Sequence, residues 1–99
     1  MLVKRPGDRP DVLAVTFRFP SIIWAESVHL AGDFNNWSRL AHPMLRPEDG
    51  DSWELTLELP KDRQYEYRYL VNGDTWCNDC NADGYVADPY GTYNSVVCT

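Results

Sequence analysis

An all-β, antiparallel sandwich is the fold this sequence predicts, on three observations. Apolar and polar residues alternate in short runs, turn-forming residues interrupt those runs, and no window of about eleven residues favours helical periodicity. The first clear run starts at Val12, where Val15, Phe17 and Phe19 share one face, Thr16 and Arg18 take the other, and Pro20 stops it. Ile22-Ile23-Trp24 reads as a short strand or a packed loop, with Trp24 used in packing. Val28 and Leu30 then flank His29 in a second alternating segment, and Gly32-Asp33 turns the chain. The strictest alternation covers residues 52–59, with Trp53, Leu55, Leu57 and Leu59 against Ser52, Glu54, Thr56 and Glu58, which assigns Trp53 to the core.

Pro60-Lys61-Asp62 is a turn, after which Tyr65, Tyr67, Tyr69 and Val71 share a face opposite Glu66, Arg68 and Leu70. Asn72-Gly73 is the strongest hairpin signal in the chain, because both residues tolerate the positive φ of a type I′ turn, and it predicts a strand near Trp76. Residues 78–88, rich in Asn, Asp and Gly, read as loop, and residues 93–97 close the domain as a β-branched strand. The total is about seven strands in one sandwich. Residues 1–11, with Arg5-Pro6-Gly7-Asp8-Arg9-Pro10, read as a flexible leader without periodicity, so the domain is expected to span 12–99.

The chain has 99 residues, enough for a single core. A net charge of -6 provides no basic field for phosphates, which argues against nucleic acid as a partner. Apolar runs are far too short for a membrane span, and the first residues lack the apolar segment of a secretory signal, so a soluble, cytoplasmic chain is expected. The 3 cysteines, Cys77, Cys80 and Cys98, are an odd number and read most simply as reduced thiols, although a bridge from Cys77 or Cys80 to Cys98 stays open.

With 4 Trp, 6 Tyr and 3 Phe, the chain has more aromatic surface than its core requires. Gly32-Asp33-Phe34-Asn35-Asn36-Trp37-Ser38 sets Trp37 in a polar turn with no apolar neighbour in phase, and Trp76 stands among Asp74, Asn78 and Asp79. Such a Trp either plugs an end of the sandwich or lies exposed. Exposed, its flat face matches the C–H-rich face of a sugar ring while Asn and Asp side chains pair with the rim hydroxyls.

Residues 28–97 resemble carbohydrate-binding module family 48, the module found as the glycogen-binding domain of the AMP-activated protein kinase β subunit and ahead of the catalytic barrel in isoamylases and branching enzymes. The resemblance rests on Gly32-Asp33-Phe34-Asn35-Asn36-Trp37, on Tyr67-Arg68-Tyr69-Leu70-Val71-Asn72-Gly73 with Trp76, and on Pro89-Tyr90-Gly91-Thr92-Tyr93-Asn94-Ser95-Val96-Val97. It implies an immunoglobulin-like β-sandwich that binds α-1,4-linked glucan, glycogen or starch, without catalysis or cofactor. It places the sugar platform on Trp37 and Trp76, the family's basic residue on Arg68, and hydroxyl partners on Thr92 and Asn94. Tyr90 stands where the kinase subunit carries a Leu, a departure that either extends stacking or narrows the groove. The same family implies an alternative: a structural or interaction domain of a glycoside hydrolase family 13 enzyme, or a partner to a catalytic or kinase domain, with weak or absent sugar binding.

Metal and catalytic readings have less behind them. Asp79-Cys80-Asn81-Ala82-Asp83-Gly84-Tyr85 matches the first half of a calcium loop, but Tyr90 occupies the position of its bidentate Glu. Cys77-x-x-Cys80 lacks two further ligands at zinc-site spacing, since only Cys98, His29 and His42 remain. A glycosidase needs two carboxyls roughly 5–10 Å apart across a cleft, whereas the acidic residues here fall on wet strand faces and in open loops.

Overall fold

Two antiparallel sheets face each other in the computed structural model, which describes residues 2–21, 25–46 and 50–99. Eight strands follow in order: β1 (Leu2–Pro6), β2 (Val12–Pro20), β3 (Val28–Gly32), β4 (Ser52–Pro60), β5 (Gln64–Val71), β6 (Thr75–Cys77), β7 (Gly84–Ala87) and β8 (Tyr93–Cys98). One sheet is β1-β2-β4; the other holds β3, β5, β8 and β7 in that order, with β6 also paired to β5. The only helical segment among the described residues is a single 3-10 turn, Asp33–Asn35, and no helix there is long and apolar enough to cross a membrane. The architecture is the immunoglobulin-like sandwich expected, with eight strands in place of about seven. Ile22-Ile23-Trp24, and the packing expected of Trp24, lie outside the described residues.

The alternating runs became strands with the expected apolar faces turned to the core. Phe17 and Phe19 on β2 sit opposite Leu55 and Trp53 on β4, and Leu30 on β3 sits opposite Tyr69 on β5. Between the sheets Val15, Phe17, Leu30, Tyr67, Tyr69, Val71 and Val97 are fully buried, and Trp53 belongs to the same core. Phe17 meets Tyr67 edge-on at 5.0 Å, and Phe19 lies 5.0 Å from Tyr69, distances at which aromatic pairs attract beyond the area they bury. The turn Asn72-Gly73 has positive φ at both residues, 54° and 75°, and Asp74 N donates to Val71 O at 3.2 Å. Strand pairing resumes only at Val71↔Thr75, so Asp74 makes the hairpin loop one residue longer than a two-residue I′ connection.

Two segments differ from expectation. Residues 2–6, read as part of a loose leader, instead form β1, paired with β2 from Leu2↔Phe17 to Pro6↔Leu13. Residues 84–87, read as loop, form β7 along β8. Both are edge strands, which pair on one side only and so need no long alternating pattern. The Lys, Arg and Pro of β1 are residues that blunt such edges against further pairing. Lys4 Nζ lies 2.6 Å from Asp83 Oδ2 and ties this edge to the opposite sheet.

The two core tyrosines bring their hydroxyls to one acceptor. Tyr67 and Tyr69 donate to Asp79 Oδ2 at 2.8 and 3.0 Å, and Asp79 is only 3% exposed. Burial opposes its ionisation, but hydrogen bonds to it, those from Asn81 N and the Tyr67 hydroxyl among them, outweigh burial and hold its carboxyl below the ordinary range. Burial first, and the neighbouring acidic groups second, push both tyrosines well above their usual values. Asp79, expected in a loop and considered for calcium, is therefore the polar anchor of the core.

Gly32 ends β3 opposite Tyr67 of the neighbouring β5, with no room for a side chain. A Cβ there would lie 2.5 Å from Glu66 O, 2.8 Å from Tyr67 Cβ and 2.9 Å from Phe34 Cζ. Because its neighbours include backbone, Gly32→Ala is expected to destabilise the fold by roughly 1–3 kcal/mol. In urea unfolding this reads as a lower midpoint at unchanged slope; an unchanged midpoint would show that the space at Gly32 admits a methyl group.

Candidate functional site

β5 separates the core from the outer surface. Its odd-numbered residues Tyr65, Tyr67, Tyr69 and Val71 face the core, so Glu66, Arg68 and Leu70 take the outer face of the larger sheet. Arg68 holds a special place in that sheet. On one side of β5, β6 pairs with residues 69–71 and β8 with residues 64–67, so the sheet forks at Arg68. The guanidinium fills this fork: Nε donates to Asn94 Oδ1 at 2.6 Å, and Nη2 donates to Asp88 Oδ2 at 2.7 Å and to Thr92 Oγ1 at 2.8 Å.

Asp88 organises the loop that follows β7. Its Oδ1 accepts the backbone N–H groups of Tyr90 and Thr92, both at 2.9 Å, while Oδ2 accepts Arg68 and the Thr92 hydroxyl. Gly91 supplies the positive φ of 85° that the turn needs. The loop thereby lifts Tyr90 into solvent, 89% exposed. The Thr92 hydroxyl first, then the backbone N–H groups of Thr92 and Tyr90 and the Arg68 guanidinium, hold the Asp88 carboxyl down to about 2.

Trp37 arrives from the other side of the fork, on the turn after β3. Asn35 builds that turn, accepting Gly32 N at 3.0 Å and donating to Leu30 O at 2.9 Å. Asn36 and Trp37 both adopt left-handed backbone, φ 56° and 57°, a conformation Asn tolerates and a bulky residue rarely takes. Asp33 secures the result: Oδ1 accepts Trp37 Nε1 at 3.0 Å and Oδ2 accepts Glu66 N at 2.8 Å, pinning the indole to β5.

Trp76 lies on β6 opposite Leu70, its ring centroid 6.4 Å from that of Trp37 and the planes inclined by 65°. Arg39 sets its guanidinium over Trp76, 5.6 Å from the ring centroid.

Trp37, Arg68, Trp76, Asp88, Pro89, Tyr90 and Asn94 enclose an open cavity of about 260 Å³. Five of the six residues singled out from sequence thus line one wall, and Thr92, the sixth, bonds Arg68 and Asp88 behind it. Larger depressions of about 580 Å³ at Asp62, Arg63, Gln64, Cys98 and Thr99, and of about 390 Å³ around Arg18, Asp51 and Cys80, have no aromatic lining. Chemistry, and not size, distinguishes the smaller one. Sequence reasoning did not find Asp33, Glu66 or Asp88, whose roles are to hold other side chains; the one signal available was Asp88-Pro89-Tyr90-Gly91-Thr92, an Asp ahead of a Pro/Gly turn. Among the described residues no group of three His, Cys, Asp or Glu is placed to hold a metal ion, and Cys77, Cys80 and Cys98 are unbridged.

Residues 15–91 match the profile of carbohydrate-binding module 48, the isoamylase N-terminal domain. The chain is 33% identical over 72 residues to the 5'-AMP-activated protein kinase subunit beta-1 of Sus scrofa, covering 73% of this chain and 53% of that protein. It is 32% identical over 82 residues to glucoamylase-1 of Schizophyllum commune, 76% of this chain and 14% of that one. It is 36% identical over 67 residues to the 1,4-alpha-glucan branching enzyme GlgB of Novosphingobium aromaticivorans, 64% of this chain and 9% of the enzyme. The chain therefore spans about half, or far less, of the length of these relatives.

The Asp88 cluster makes a prediction independent of any ligand. A carboxyl whose folded value is depressed stabilises the fold above its unfolded value, near 3.9, and that contribution is lost as pH falls through about 2. The Asp88 carboxyl carbon, followed by NMR, should titrate near the lower value, and Thr92→Val should move its midpoint up toward the ordinary range. A midpoint already ordinary in the unmodified chain would contradict the cluster.

Proposed function

The chain belongs to carbohydrate-binding module family 48, and on that premise we propose that it binds α-1,4-linked glucan, glycogen or starch, across Trp37 and Trp76. The observation that supports this most is the pair of indoles at 6.4 Å and 65° beside a wall of hydrogen-bonding side chains. Successive glucose rings in an α-1,4 chain turn relative to one another and curve the polymer, whereas β-1,4 rings repeat as a flat ribbon. Two aromatic faces inclined to each other suit the curved chain. The apolar face of each ring stacks on an indole, and the hydroxyl rim meets Asn94 and Arg68, whose Nη1 bonds no side chain among the described residues. Tyr90, highly exposed on its loop, offers a third aromatic at the cavity edge.

The family is one of non-catalytic modules, and Asp88, the acidic residue in the cavity lining, fits that role. A glycosidase acid needs a carboxyl with a raised pKa; Asp88 is held low and already accepts four hydrogen bonds. Binding is expected to be modest. Each stacked ring contributes roughly 1–3 kcal/mol, which for two rings gives affinity between roughly tens of micromolar and tens of millimolar.

The small share of each relative that this chain covers favours a second reading beside the first: a module that serves an attached or partner catalytic or kinase domain. The two readings part on the sugar. Trp37→Ala combined with Trp76→Ala is expected to weaken maltoheptaose binding at least about tenfold by isothermal titration calorimetry while circular dichroism stays that of the folded sandwich. Unchanged affinity in the double variant would remove the indoles from the site, and an unmodified chain indifferent to maltoheptaose would leave the interaction role.

A further inference from the structure

The two loops of the cavity are joined by a line of polar contacts across the outer face, and Glu66 is its middle member. From the Trp37 side, Asp33 bonds the indole N–H and the backbone N of Glu66. From the Tyr90 side, Asp88 bonds Arg68, and Arg68 bonds Asn94. The gap between them closes where Asn94 Nδ2 donates to Glu66 Oε1 at 3.0 Å in a part-buried setting.

We propose that Glu66 is a positioning residue for the glucan site, acting through Asn94; this rests on the reading that the cavity takes α-glucan. An amide side chain has two orientations related by a flip, and its environment selects one. Here Oδ1 faces a cation, Arg68 Nε at 2.6 Å, and Nδ2 faces an anion, Glu66 Oε1 at 3.0 Å. A flip would set donor against donor at Arg68 and acceptor against acceptor at Glu66, so the two charges together allow a single state. The lone pair and the proton left over on Asn94 then have fixed directions at the cavity wall. Glu66 does not line that wall, which is why its effect runs through Asn94 and not through contact with sugar.

The test is a set of variants titrated with maltotriose and maltoheptaose by calorimetry, with the Asn94 side-chain amide followed by NMR. Glu66→Ala is expected to weaken both sugars by about tenfold, in the range of one hydrogen bond to a charged group, and to shift the Asn94 Nδ2 resonances before any sugar is added. Glu66→Gln retains an acceptor for Nδ2 and should restore binding. If the unmodified chain binds and Glu66→Ala binds equally well, or if Glu66→Gln binds as poorly as Glu66→Ala, the positioning role is overturned. If the unmodified chain ignores both sugars, the glucan reading itself fails, whatever the Asn94 resonances do.

Discussion

The bond between Arg68 and Asp88 is the interaction on which the outer surface depends. The sheet forks at Arg68, where β6 ends its pairing with β5 and β8 begins, and a fork leaves a backbone gap that a regular ladder would have closed. The guanidinium fills the gap and gives the loop after β7 something to fasten to. Its side chain is 17% exposed and that of Asp88 is 11% exposed, so the pair is far better shielded than a surface ion pair on solvated strands. Because Asp88 spends its other lone pairs on the backbone of its own loop, the same contact that closes the fork also shapes the turn presenting Tyr90.

Trp37 is held by a different device. Two consecutive left-handed residues turn the chain after β3, an arrangement that costs free energy for a residue as large as Trp. Asn35 and Asp33 hold it in place with side-chain bonds back to the turn and to β5. Strained backbone is retained where a side chain must be aimed, and here the aim brings one indole to 6.4 Å from a second that arrives on an ordinary strand. The core tyrosines lie on the opposite face of β5, while Phe34 of the same turn packs on the core with its ring 5.6 Å from that of Phe17.

Period-two alternation explains how much of this was legible in the sequence. On β2, β4 and β5 one face is turned to the core, so Phe17, Trp53 and Tyr67 announce that core directly, and Arg68 follows as a residue of the opposite face, which on β5 is half-covered and buries Leu70. The edge strands β1 and β7 stayed hidden because one-sided pairing asks little of their side chains, and Lys4, Arg5 and Pro6 look the same in a leader as on a guarded edge. The site divides in a similar way. Trp37 and Trp76 stood out as aromatics in polar turns, and family resemblance supplied Arg68, Tyr90, Thr92 and Asn94. Asp33 and Glu66 have no pattern of their own and Asp88 has only that of a turn; they matter through what they hold, and that becomes visible only when residues as far apart as 33 and 66, or 68 and 88, meet.

Intrinsic Trp fluorescence, titrated with maltoheptaose and β-cyclodextrin and with a cello-oligosaccharide as the control for linkage, tests the central claim most directly. The paired indoles predict a saturable change with both α-glucans and none with the β-1,4 sugar. No response to any of the three, or an equal response to all of them, would contradict the assignment of this surface to α-glucan.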